Sequence, residues 1–478
     1  MDKTIFETFI GLEIHIQLIT KTKIFCNCRN SFGDPPNTNI CPVCMGYPGA
    51  LPALNKEAAK KACLLCLALK CKLNEKAVFD RKNYFYPDLP NNYQITQFEF
   101  PFGIEGSVDT ALPDGSIKTV RIHEAHLEED AGKMIHDRIG SMCDFNRAGT
   151  PLLEVVTKPD FKTGEEVEAF LLNFRRIIRY LGVSDGNMEE GSMRCDANVS
   201  INYIGKGLGK RVEVKNLNSS RNVKLAIQHE EQRQAKLLKA GEPILQETRL
   251  WDDDKKRTES MRSKEDANDY RYFPDPDLPP FATTPEFIAE LKSMLVELPL
   301  ARRNRFMSEY NLIQDTAEFL TEEKDKADYF EEACKKGADP QNAAAWLKGD
   351  VTKVLNREKM EILSSPLDIG RFIMLLDFVE KGKINGQTAK KVLDIIITEN
   401  KNPEDIIKEN NWEQVDDSDS LMPVVEKVLA ESAAAVNQIK AGDMKPVGFL
   451  IGQVMKSSGG KADPKKVKEL VMEKIKQL

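Results

Sequence analysis

The sequence has 478 residues, 41% of them hydrophobic and 30% charged, which suits a globular chain of roughly two to four domains and excludes a disordered or fibrous one. Its longest apolar runs, such as the one from Phe372, fall far short of the ~18 residues a membrane span needs, and no cationic flank leads into an apolar, cleavable leader, so neither membrane association nor secretion is expected. The net charge of -7 does not mark the whole chain as a nucleic-acid binder, and ten cysteines without an export signal imply a reducing cytoplasm, where clustered thiols mean metal or reactivity more often than disulfides.

In chain order, the first 270 or so residues read as mostly β. Phe9–Leu18 alternates, with Ile10, Leu12, Ile14, Ile16 and Leu18 on one face and Gly11, Glu13, His15 and Gln17 on the other. The same period recurs from Met193, where Arg194, Asp196, Asn198 and Ser200 oppose Cys195, Ala197, Val199 and Ile201. It recurs again from Arg211, with Arg211, Glu213 and Lys215 against Val212 and Val214. An antiparallel sheet with helices behind it and a wet front produces this pattern. Helical periodicity at Glu165–Leu181 and Val223–Lys239 supplies the backing layer. Pro274, Pro276, Pro279, Pro280 and Pro285 then prevent regular structure and suggest a boundary, beyond which the chain turns helical. The last helix is signposted by Asp463 as N-cap, Pro464 at its first position and a stripe of Val467, Leu470, Val471 and Ile475.

The clearest constellation is Cys26-x-Cys28 followed by Cys41-x-x-Cys44, four ligands for a tetrahedral, structural zinc; the alternative is ordinary reduced thiols. Cys63, Cys66 and Cys71 belong to an amphipathic helix and read as core. Glu13 and His15 project from one strand face, and "HLEEDAGK" adds Glu128, Glu129 and Asp130, while later strands add Asp196 and Glu213. Oxygen-rich sites with one imidazole suit Mg²⁺ or Mn²⁺ bound to nucleotide phosphates, although each group singly also fits a solvated surface. There is no P-loop; "GKGLGK" near Gly205 reads as a hairpin turn, so ATP use would need another fold. No His is placed to activate Cys143 or Cys195, so thiol catalysis is not expected.

From Leu421 to Leu478 there are ten Lys against six Asp or Glu, a surplus of four on an acidic body. Such a tail attaches a polyanion to one end of a protein, or is simply a Lys-rich helical surface.

These residues resemble the B subunit of the aspartyl/glutamyl-tRNA(Asn/Gln) amidotransferases. The matching stretches include "GLEIHIQL" from Gly11, "FDRKNYFYPDLPNNYQITQ" from Phe79, "HLEEDAGK" from His126, "MEEGSMRCDANVSI" from Met188, "VEVKNLNS" from Val212, "DYRYFPDPDLPP" from Asp269 and "GFLIGQVMK" from Gly448. They run in order along essentially the whole chain. The resemblance implies an α+β fold: a cradle-like N-terminal domain with an antiparallel sheet (1–290, with the zinc-binding insertion), a helical domain (291–410) and a small tRNA-binding helical tail (411–478). It implies ATP-dependent phosphorylation of the side-chain carboxylate of Asp-tRNA(Asn) or Glu-tRNA(Gln), then amidation with ammonia delivered by a partner glutaminase. The implied partners are the amidase of the same heterotrimer, its small third member and the tRNA. It places Glu13 and His15 in a metal site and Glu128 and Glu129 in an acidic catalytic pair. Lys82 stands near the ammonia entry. Glu128, Asp196 and Glu213 are inferred as further Mg²⁺ ligands, and Lys215, Asn216 and Asn218 as phosphate or acceptor-end contacts. Only part of the family carries the cysteine set, so Zn²⁺ here rests on the cysteines themselves. The contrasting reading is a non-enzymatic, zinc-containing tRNA-binding protein, which would display Lys, Arg and aromatics on its sheet rather than acids.

Overall fold

The computed structural model describes residues 5–136, 140–263, 270–413, 418–440, 444–457, 462 and 464–477. Its first strand, β1 (Phe6–Gln17), buries Phe6, Thr8, Ile10, Leu12, Ile14 and Ile16 and turns Glu13, His15 and Gln17 to the other face. It starts three residues earlier than the expected alternation because Phe6 and Thr8 continue the buried row.

The other strands, in chain order, are β2 (Lys72–Leu73), β3 (Lys76–Ala77), β4 (Asp80–Asn83), β5 (Tyr93–Thr96), β6 (Gly103–Ala111), β7 (Ile117–Glu129), β8 (Lys133–His136) and β9 (Ser141–Asp144). There follow β10 (Pro151–Thr157), β11 (Met193–Tyr203), β12 (Val212–Lys215), β13 (Glu247–Asp252), β14 (Arg257–Ser263), β15 (Phe273–Pro274) and β16 (Phe281–Ala282). Nine of them form one sheet in the order β14-β13-β12-β11-β1-β10-β7-β6-β2, with β1 at its centre.

Three helices back this sheet: α1 (Lys56–Ala68), α2 (Gly164–Tyr180) and α3 (Ser220–Lys239). Asn55, Thr163 and Ser219 cap them by accepting the backbone N–H groups of Glu57, Glu166 and Asn222. Val167, Phe170, Phe174, Val223 and Ile227 pack with Ile10, Leu12 and Ile14 in one continuous core. Each such side chain, fully buried, contributes about 1.5–3 kcal/mol of transfer free energy. One pair departs from the antiparallel pattern: β12 and β13 run parallel. Here α3 carries the chain back to the starting end of the sheet, which a hairpin cannot do.

Cys63, Cys66 and Cys71 are buried in this core, Cys71 just past the end of α1. Gly103 and Gly106 of β6 face them so closely that an added Cβ would come within 2.7 Å of Cys66 Sγ and 2.5 Å of Cys71 Sγ. The "GKGLGK" segment forms the turn between β11 and β12, with Gly205 and Gly207 at φ of 77° and 70°.

The proline cluster is more ordered than expected. Phe273–Pro274 pairs with β4, Phe281–Ala282 pairs with β3, and Pro285 opens a helix, Pro285–Met294. Two-residue edge pairs tolerate proline because they need few of its missing N–H bonds, and a helix tolerates it in its first turn. The first compact unit runs from Met1 to Arg302.

The second unit, Arg303–Leu478, is helical among its described residues and has two separate cores. One gathers residues from Phe306 to Ile407, the other residues from Leu421 to Ile475. In the last helix, Pro464–Gln477, Val467, Leu470, Val471 and Ile475 form the expected buried stripe; Asp463 lies outside the described residues. No described helix is long and apolar enough to cross a membrane.

Candidate active site

Register builds the site on the polar face of the sheet. His15 on β1 pairs with Arg194 on β11 and Glu154 on β10, and Glu154 pairs with His126 on β7. Two residues along, Glu13 pairs with Asp196, while Asn198 pairs with Glu213 on β12. Because successive strand residues alternate faces, this one parity brings groups scattered over some two hundred residues into neighbouring rows.

The five residues expected to hold one Mg²⁺ fall into two groups. Ligand atoms of His15, Glu128 and Glu154 lie within 4.8 Å of one another, and so do those of Glu13, Asp196 and Glu213. In the first group Glu154 Oε2 is 3.3 Å from His15 Nε2 and 3.0 Å from His126 Nε2, and Glu128 Oε2 is 3.7 Å from His126 Nε2. Thr96 Oγ1 donates to Glu128 Oε2 at 2.9 Å. Burial opposes protonation of both imidazoles, yet the charge of Glu154 and their hydrogen bonds hold them up, His126 to about 10. Burial also opposes ionisation of Glu154, but the two histidines hold it well below the usual carboxylate range. In the second group, burial and then the charge of Glu154 push Glu13 up, although Asn198 Nδ2 donates to it at 2.8 Å. Lys215 Nζ stands 2.5 Å from Asp196 Oδ2 and 3.1 Å from Glu213 Oε1. An ammonium has settled where these three acids concentrate negative charge. Both donor sets, carboxylates with at most one imidazole, could hold a hard divalent cation.

Sequence reasoning misses Glu154 and His126. Glu154 is a lone acid within Leu152–Leu153–Glu154–Val155–Val156, and a charge inside an apolar strand requires a partner. That is the signal by which it could be found. His126 alternates with Glu128 and lies in the same motif.

The remaining expected residues are more dispersed. Glu129 points to the opposite face from Glu128, where its carboxylate accepts the N–H of Ile95 at 3.0 Å. Burial pushes it up to about 8. Lys82 Nζ lies over the rings of Tyr270 and Tyr84, at 5.0 and 5.7 Å. Burial raises the Tyr84 phenol, followed by the charge of Glu128, and the Tyr84 ring packs edge-on against that of Tyr270 at 5.8 Å. Asn216 donates its amide to the Trp251 carbonyl at 2.9 Å and adopts a φ of 65°. Asn218 lines a separate cleft of about 330 Å³ with Arg175 and Ser219.

Cys26, Cys28, Cys41 and Cys44 do converge, with sulfur atoms within 4.8 Å of one another. Four thiolates at ~2.3 Å from a tetrahedral zinc fit such a cluster. Hydrogen bonding from Cys26 is the largest influence lowering Cys44, to about 5, while burial foremost raises Cys28 to about 11. The fully buried Lys23 places Nζ 3.6 Å from Cys44 Sγ. A buried ammonium suits a tetrathiolate zinc, whose net charge is negative.

Comparison with known proteins shows the family. Residues 8–289 match the GatB/GatE catalytic domain and residues 328–475 match the GatB domain. The chain is similar to the aspartyl/glutamyl-tRNA(Asn/Gln) amidotransferase B subunit of Geobacter sulfurreducens, with 46% identity over 98% of this chain and 99% of the relative. It is 44% identical to the same protein of Carboxydothermus hydrogenoformans, over 99% of each chain. With that of Thermodesulfovibrio yellowstonii it shares 45% identity over 99% of this chain and all of the relative. The carboxylate-bearing sheet, the helical second unit and this end-to-end similarity lead to one conclusion: the chain belongs to the B-subunit family of the tRNA-dependent amidotransferases.

Proposed function

We propose that this chain carries the ATP-dependent half of glutamine-dependent tRNA amidation. A side-chain carboxylate of Asp-tRNA(Asn) or Glu-tRNA(Gln) attacks the γ-phosphorus of ATP, ADP leaves, and an acyl phosphate forms. Ammonia then attacks the acyl carbon, phosphate leaves, and the product is Asn-tRNA(Asn) or Gln-tRNA(Gln). A carboxylate is a poor electrophile, and the phosphate supplies its leaving group. Mg²⁺ held by His15, Glu128 and Glu154, or by Glu13, Asp196 and Glu213, would neutralise charge on the phosphates.

The observation that carries this reading is the convergence of two oxygen-rich groups on one sheet face. Thr96 and Asn198 orient Glu128 and Glu13 by hydrogen bonds. Glu128 also suits removal of a proton from incoming ammonium, since only neutral ammonia is nucleophilic. Lys82, which lies over the Tyr84 and Tyr270 rings, is the residue proposed near ammonia entry, and Glu129, on β7 next to Glu128, is proposed as the second acid of the catalytic pair. Lys215, Asn216 and Asn218 are proposed for phosphate or acceptor-end contacts, the Asn216 amide group also donating to the Trp251 carbonyl. Zn²⁺ is proposed as structural, in an insertion of the 1–290 cradle.

The relatives are named as B subunits of a tRNA amidotransferase, which supports partner subunits; a glutamine-hydrolysing amidase and a small third member are proposed to complete a cytoplasmic heterotrimer that works on tRNA. Residues 291–410 are proposed as a helical domain and 411–478 as the tRNA-binding tail, whose lysine surplus gives salt-sensitive contacts. The deciding experiment is conversion of mischarged tRNA by the purified heterotrimer, with ATP and glutamine each omitted in turn. Amide formation without ATP would overturn the reading. Deleting residues after Ser420 should weaken tRNA binding and spare glutamine hydrolysis, and unchanged tRNA affinity at moderate salt would refute the tail assignment.

A further inference from the structure

Arg194 stands in the same cross-strand row as His15, Glu154 and His126, yet belongs to neither carboxylate group. One terminal nitrogen, Nη2, is held 3.0 Å from Asp130 Oδ2. Asp130 is buried, and Gln17 Nε2 donates to the same oxygen at 2.8 Å. Arg147 Nε lies 3.8 Å from it as well, and that guanidinium is itself fixed to the carbonyls of Ala131 and Gly132 at 2.9 and 2.7 Å. A single buried carboxylate, locked from two further sides, therefore sets the orientation of Arg194.

The rest of the guanidinium is unspent. Its Nε is a buried donor without a partner, and Asp130 is the acceptor it meets among the described residues. The side chain nevertheless remains 39% exposed on the polar face. Arg194 lies opposite His15 of the first group and two residues before Asp196 of the second on the same strand face, so it stands beside both carboxylate groups, and the charges of Glu128 and Asp196 favour its protonated form. Lys215, the cation across the sheet, differs because it would share an anion with Asp196 and Glu213, with which it already pairs. An arginine braced on one side and left undersatisfied on the other is built to meet an anion that the protein itself does not contain.

We propose that Arg194 is a catalytic residue that donates hydrogen bonds to the oxygen atoms of the phosphoryl group in transfer, with Asp130, Gln17 and Arg147 as its positioning residues. The inference rests on the phosphoryl-transfer reading above. As the substrate carboxylate oxygen bonds to the γ-phosphorus and the bond to the ADP oxygen breaks, negative charge stays on the three oxygens that are neither entering nor leaving. Arg194 keeps all its protons and supplies fixed positive charge to them. Carboxylates dominate this face, and without such a cation they would repel both the nucleotide and the acidic side chain to be activated.

The test uses the heterotrimer and measures ADP release that depends on mischarged tRNA. Arg194→Gln should lower kcat by roughly a hundredfold to a thousandfold, with tRNA affinity, glutamine hydrolysis and thermal unfolding near wild type. Arg194→Ala should regain part of its rate when guanidinium ion is added at low millimolar concentration, which a merely structural role would not allow. Asp130→Asn should lower kcat by about tenfold to a hundredfold and leave the KM for ATP little changed, because it loosens the orientation and keeps the cation. Wild-type kcat in Arg194→Gln, or a loss that guanidinium does not relieve, would overturn the proposal while leaving the reaction intact. Absence of tRNA-dependent ADP release from the wild-type heterotrimer would instead overturn the reading on which it rests.

Discussion

Two acids of the same sheet unit, Glu230 buried and Glu154 partly buried, carry dense charge networks, and they are balanced in opposite ways. Glu230, on α3, is fully buried, yet Arg233 bonds it at 2.9 Å, Arg249 reaches it at 3.2 Å, and Thr258 and Gln234 donate at 2.5 and 3.0 Å. Glu247 takes up the remaining reach of both arginines. Every strong group there has a partner of opposite sign, and the network ties α3 to β13 and β14. Around Glu154 the acids are Glu13, Glu128, Asp196 and Glu213 as well, facing two histidines, one lysine and one half-committed arginine.

In the first network each charge meets an opposite charge within the protein, although the Gln234 carbonyl oxygen is left without a donor. In the second the acids outnumber the cations that face them, and the proposed function adds a metal ion and a phosphoryl group there. Both hold buried charge, so burial alone does not distinguish a structural network from a site; the balance of partners does.

The largest effect that would break this contrast is on activity. Glu128→Gln should abolish amide formation, by at least about a hundredfold, while the heterotrimer still assembles and binds tRNA. Gln keeps the size and the Thr96 contact, so folding is little affected. A Mg²⁺ titration of tRNA-dependent ADP release separates the two roles: rescue by Mg²⁺ marks coordination, and retained ADP release with lost amide marks ammonia handling. Activity near wild type would remove Glu128 from the site.

Glu230→Gln should do the reverse. It leaves Arg233 and Arg249 short of a buried counter-charge and should cost on the order of 3 kcal/mol in denaturant unfolding, with kcat of the folded heterotrimer unchanged. The acid also has a pH signature. Burial opposes its ionisation, but Arg233, Gln234 and Thr258 hold it below its ordinary value of 4.5. Its contribution is therefore fully present above about pH 4.5 and lost as pH falls through the lower folded value. Glu230→Gln should flatten the acid limb of the stability profile, and an unchanged limb would show that the network does not stabilise the fold.

A smaller and more local effect is expected from Cys41→Ser. It should abolish zinc binding and loosen the segment around Cys26–Cys44, lowering the unfolding midpoint without directly removing the carboxylate groups. Metal analysis that finds no zinc in the folded wild-type protein would refute this.

Much of the site was legible before the fold. The alternation through Glu13 and His15, through Asp196 and through Glu213 identified three strands and the side each turns to solvent, because a period of two leaves little choice once one face is apolar. The cysteine spacing likewise marked a four-sulfur cluster, since short loops hold their ends together. Glu154 was harder to see because one acid in an aliphatic run has no periodicity of its own. Glu128 and Glu129 look like a pair in the sequence, but the strand sends them to opposite faces.

Local pattern thus determined the elements, their polar and apolar faces, the zinc-type cluster and the family resemblance, all of which depend on neighbours a few residues apart. Only the tertiary structure decided which acids meet. The pairing of β1 with β10 and β11, extended by β7 and β12, is a long-range choice of register, and it divides the acids into two groups, brings in Glu154 and His126, and leaves Arg194 braced between them. A one-residue slip of either pairing would keep every local pattern and turn those side chains to the wrong face.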